Sequence, residues 1–77
     1  MRVIDATIEL RRSMITLRTG MSYEFTLGDG RTASGKLAAF CIDGNALVHV
    51  VIEISKEKSA LIFGRDIDDI RRQYVHS

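Results

Sequence analysis

Three groups of residues have types that could carry chemistry. Gly30-Arg-Thr-Ala-Ser-Gly35-Lys36 matches the first part of the phosphate-loop pattern GxxxxGK[ST]. In that loop backbone amides cradle phosphate, and a hydroxyl after the lysine binds Mg²⁺. Position 37 is leucine, so the hydroxyl is missing. The residues that follow read as strand, not as the helix whose N-terminus would hold the anion. Cys41 or a serine beside His49 would make a nucleophile and base by type. His49, however, lies among β-branched neighbours, the setting of a half-buried or interface residue. Asp66, Asp68 and Asp69 offer carboxylates for acid–base work or a cation, but flanking arginines mark a charged edge. A zinc site would need Cys41, His49, His76 and a carboxylate, and no ligand spacing supports one. The expectation is no catalytic residue, no metal and no cofactor: this is not an enzyme.

Composition narrows the classes further. At 77 residues, 45% apolar and 27% charged, the chain reads as a single small globular domain spanning 1–77. One cysteine cannot form an internal disulfide. A net charge of +1 advertises no broad nucleic-acid field. The N-terminal MRVIDATIELRRSM lacks an apolar targeting core. The longest apolar stretch, 46–54, falls far short of the roughly 20 residues of a spanning helix. No membrane partner is expected, and the location expected is cytoplasmic, nuclear or both.

The elements that must position these residues are one helix and five strands. Residues 5–18 read as a helix, with Asp5 as N-cap and Gly20 as stop. Ile4, Ile8 and Ile15 fall on one side and Leu10, Met14 and Leu17 roughly opposite. Either the helix is shorter or differently phased, or Leu10, Met14 and Leu17 form a second face that docks a partner, such as a scaffold protein. From Gly20 the period becomes two, as Tyr23, Phe25 and Leu27 alternate with polar residues. Gly28-Asp29-Gly30 reads as a hairpin turn. Further strands follow at about 31–42, 46–54, 60–63 and 67–70, with a polar tail over 73–77. Short sequential strands favour a small, strongly bent barrel over about 20–72. If it stays open, two edges remain that invite another chain.

The register from Gly20 through Tyr23, Phe25, Leu27, Gly30, Gly35-Lys-Leu37 and Asn45 resembles the first motif of the Sm and Sm-like proteins. Leu61-Ile62-Phe63-Gly64-Arg65-Asp66-Ile67-Asp68-Asp69-Ile70 resembles their second motif. The resemblance covers roughly residues 8–72 and implies a mainly β fold: an N-terminal helix on a five-stranded SH3-like open barrel. It implies pairing between the fourth strand of one subunit and the fifth of another. The implied interface residues are Ala60, Leu61, Ile62, Phe63, Ile67, Asp68, Asp69 and Ile70.

Members of this family bind uracil, and here the pattern departs. Asn45 and Gly64 match, but Cys41, Asp43 and Phe63 stand where the family has an aspartate, a stacking residue and an arginine. Cys41 cannot hold Asn45 by a charge-assisted bond. Asp43 offers no ring to stack on a base. A weakened pocket with intact edges is similar to the Gemin-type Sm-fold subunits of the survival-of-motor-neuron complex. Arg12-Ser13-Met14-Ile15, Phe25-Thr26-Leu27 and Asp66-Ile67 share that similarity. The implied function is a subunit that pairs with another Sm-like protein in a complex for spliceosomal ribonucleoprotein assembly or RNA processing. The alternative is a divergent ring subunit binding U-rich RNA directly through Asn45, Phe63, Gly64 and Arg65.

Overall fold

The computed structural model describes residues 4–74. Seven strands follow in order: β1 (Asp5–Leu10), β2 (Ser13–Arg18), β3 (Ser22–Leu27), β4 (Thr32–Asp43), β5 (Ala46–Ser55), β6 (Lys58–Phe63) and β7 (Ile67–Arg72). A single 3-10 turn at Gly64–Asp66 joins the last two. His76 lies outside the described residues.

The expected helix over 5–18 is not formed. β1 and β2 make an antiparallel hairpin, with Ile8 opposite Ile15 and Ala6 opposite Leu17. The segment has a period of two. Ala6, Ile8 and Leu10 face inward with Ile15 and Leu17, while Thr7 and Thr16 face out and share a 3.1 Å hydrogen bond. β-Branched residues at 7, 8, 15 and 16 suit a pleated surface better than a helix. Asp5 therefore opens a strand instead of capping a helix. Gly20, at φ 91°, serves the turn into β3. The docking face drawn through Leu10, Met14 and Leu17 falls with the helix. Leu17 is fully buried, Leu10 packs on the core, and Met14 is 58% exposed on the other side of the hairpin.

The other five strands form one antiparallel sheet in the order β6-β5-β4-β3-β7. The chain meanders from β3 to β6 and then returns β7 to the free side of β3, with Phe25 opposite Ile70. β6 and β7 do not pair with each other, so the sheet bends round without closing. Bending needs relief at β4, where Gly35 supplies it. A Cβ there would stand 2.5 Å from the Glu53 carbonyl oxygen on β5.

The hairpin covers the inner face of this sheet. Ile8 and Leu17 join Phe25, Leu37, Val50 and Ile52 in a core with no exposure, completed by Tyr23, Ile62, Ile67 and Ile70. Polar ties fix the lid. The buried Tyr23 hydroxyl accepts a 2.9 Å bond from the Arg18 amide, and the Glu9 amide donates to the Asn45 carbonyl at 2.8 Å. A buried phenol with its partner in place adds apolar area without an unmet polar group.

Candidate interaction surface

Strand registry decides what the outer face presents. β4 carries an extra residue at Ala38 and β5 one at Val48, so the outward rows are set by these bulges. One row across β4, β5 and β6 is Ala39, Val51 and Leu61. The next outward row is Cys41, His49 and Phe63. Between them Phe40, Val50 and Ile62 turn inward. Directly opposed residues of a sheet have Cβ atoms about 5 Å apart, so the outward six make one continuous patch.

The patch is apolar apart from His49 and is open to solvent. Leu61 is 53% exposed and Phe63 47%. It ends at charge on both sides. Lys36 and Glu53 form the following row, and the Arg65 guanidinium lies 5.2 Å from the Phe63 ring centroid. His49 and Cys41 are neighbours across the strands, as a base and nucleophile would have to be, but Cys41 sits exposed on a flat face rather than in a cleft.

This patch runs to the β6 edge. Among the described residues β6 hydrogen-bonds to β5 alone, and between Ser59 and Phe63 it carries no charged residue. Natural edge strands are blunted by charge, proline or bulges. β7 meets any uncharged strand with Asp68, Asp69, Arg71, Arg72 and a bulge at Asp68, whereas β6 has only Lys58 at its start. Of the residues expected at an interface, Leu61 and Phe63 point outward from β6. Ile62, Ile67 and Ile70 are instead core residues, and Ala60 is half-buried. Asp68 and Asp69 lie on the guarded edge, bound at 2.7 Å to Arg11 and at 3.1 Å to Arg71.

The residues named for RNA fall in different surroundings. Asn45 lines a groove of about 510 Å³ with Glu9, Arg11, Arg12, Asp43 and Ala46. Arg65 lines another, of about 370 Å³, with Leu27, Gly28, Asp29, Arg31 and Asp66. Gly64 packs so closely on the Leu47 carbonyl that no side chain fits. In each groove two arginines meet two carboxylates, so neither presents a cationic surface to phosphate. Asp29 is ionised more readily than a free aspartate. The Arg31 amide donates to it at 3.0 Å and lowers its pKa, helped by the Arg31 side chain at 2.6 Å. Among the described residues no three metal-ligating side chains come together.

Compared with known protein families, curated proteins and solved structures, the chain matches none. The outer patch on β4, β5 and β6 could not be read from the sequence, because the bulges that align its rows leave no composition signal.

Proposed function

We propose that this protein is a binding module that takes a strand of another protein along its open β6 edge. The observation that carries the reading is an edge strand without charge from Ser59 to Phe63, whose outward side chains, Leu61 and Phe63, stand about half exposed beside Ala39, Cys41 and Val51. Main-chain bonds along an edge supply affinity, and alternate side chains supply specificity. The similarity of the segments 20–45 and 61–70 to Sm-like proteins supports a partner of that kind. It also supports a setting in ribonucleoprotein assembly or RNA processing.

Direct binding of U-rich RNA through Asn45, Phe63, Gly64 and Arg65 has less support. Carboxylates of Glu9 and Asp43 share the groove of Asn45.

The test is co-expression with individual Sm-like proteins, followed by gel filtration with light scattering. A stoichiometric complex is expected, lost on Leu61→Lys, since a lysine on the edge blocks strand addition. A complex indifferent to Leu61→Lys and Phe63→Lys would overturn the reading. So would oligouridine binding that falls on Asn45→Ala with no protein partner found.

A further inference from the structure

The opposite edge of the sheet has a different character. β7 reads Ile67-Asp68-Asp69-Ile70-Arg71-Arg72, with acids before Ile70 and bases after it. Its hydrogen-bonding partner is β3 alone, and its other flank has no strand beside it among the described residues. We propose that two copies of this chain pair antiparallel through β7, about a twofold axis at Ile70.

Charge complementarity selects the register. In an antiparallel pair centred on Ile70, Asp69 of one copy lies opposite Arg71 of the other. Each carboxylate of the regular ladder then meets a guanidinium. Centring on Asp69 sets aspartate against aspartate, and centring on Arg71 sets arginine against arginine. Sliding by half a step turns the buried face of one sheet toward solvent in the other. Opposite charges directly across a sheet are favourable and like charges are not.

The side chains stand ready for this pairing. Asp69 and Arg71 share the outward face, where Arg71 Nε donates to Asp69 Oδ2 at 3.1 Å. A guanidinium has five N–H donors, so most of the fork is left for a second carboxylate. The twofold axis would join the two Asp69–Arg71 pairs into a ring of alternating charge. Ile70 faces inward and is 7% exposed, so the centre of the contact needs no new apolar surface. Asp68 is the bulged residue and is held by Arg11, which leaves Asp69 to Arg72 as the regular ladder. So short a contact makes a transient dimer. The inference does not rest on the β6 reading, and it leaves both β6 edges free at the two ends of a ten-stranded sheet.

Sedimentation equilibrium of the full chain from ~10 µM to ~1 mM tests it. The mass should rise toward two copies of 8.6 kDa and fall back as salt increases. Asp69→Arg and Arg71→Asp should each weaken association about tenfold or more, because each brings like charges together. The swap Asp69→Arg/Arg71→Asp should restore it to within about threefold, since the same pairs return with signs exchanged. The Arg71 side chain is 78% exposed and that of Asp69 48%, and circular dichroism checks that the variants fold. A parent that stays monomeric overturns the proposal, as does a dimer untouched by the single reversals or not restored by the swap. Leu61→Lys should leave this dimer intact; if it dissociates the dimer, self-association runs through β6 and the proposal fails.

Discussion

The Arg11 guanidinium donates a 2.7 Å hydrogen bond to the Asp68 carboxylate, tying the tip of the hairpin to the bulge in β7. The tip is unusual. Arg11 and Arg12 have φ of 46° and 72°, the left-handed region that two-residue hairpin turns require and that asparagine and glycine normally fill. A non-glycine residue held there costs about 1 kcal/mol.

Arg12→Gly should therefore stabilise the protein by about 1 kcal/mol. In a domain of this size that raises the melting temperature by about 4–8 °C. Arg11→Ala removes an ion pair whose arginine is 70% exposed, and should change stability by less than about 1 kcal/mol. Thermal melts of the two variants check both. A fall on Arg12→Gly would mean that the arginine side chain outweighs the strain.

The hairpin places Leu17 and Met14 on opposite faces, whereas a helix would place them together. Leu17→Ala should cost about 2–5 kcal/mol, as for a buried leucine. Met14→Ala should stay within about 0.5 kcal/mol. Urea unfolding distinguishes the two arrangements directly, since similar losses at both positions would contradict the hairpin.

Gly64 abuts the Leu47 carbonyl, and backbone cannot move aside as a flexible side chain can. Gly64→Ala should cost about 3 kcal/mol. Gly28→Ala is the control. A Cβ there meets only the Asp68 carboxylate oxygen at 3.8 Å, and the change should be within about 1 kcal/mol. Equal effects in denaturant melts would remove the steric account of Gly64.

Asp29 should titrate below a free aspartate, because the Arg31 amide and side chain both favour its ionised form. A carboxylate whose pKa is lowered by folding adds stability above its unfolded pKa, and that stability is lost as pH falls through the folded value. Carbon-detected NMR titration of the Asp29 carboxyl should give the lowered midpoint, and Arg31→Ala should raise it. A midpoint unmoved by Arg31→Ala would reject the side-chain contribution and leave the backbone amide as the cause.

The five strands of the large sheet were legible because each carries its own signal. Tyr23, Phe25 and Leu27 alternate, and glycines mark the turns at Gly30 and Gly44. The first segment lacked that punctuation. Arg11-Arg12 is no hairpin signature, and Ile4, Ile8 and Ile15 happen to fit helical spacing while Ala6, Ile8, Leu10, Ile15 and Leu17 fit a strand pair equally well. Tertiary packing decided between them, since Ile8 and Leu17 fill the mouth of the bent sheet. The edge strands could be named from the sequence. Which of their residues face outward could not, because the bulges at Ala38, Val48 and Asp68 shift the phase of each strand.

The return of β7 to β3 has a consequence for how the molecule is made. The hairpin and the β3–β6 meander join neighbours in sequence, but Phe25 meets Ile70 across most of the chain. Closing so long a loop comes before the contacts that reward it, and sheets built this way fold in milliseconds to seconds. During synthesis β3 emerges early, and β7 is the last of the described strands to appear. Until then β3 stands with one flank unpaired and Phe25 lacks Ile70, so the growing chain carries an adhesive edge that the finished protein no longer has.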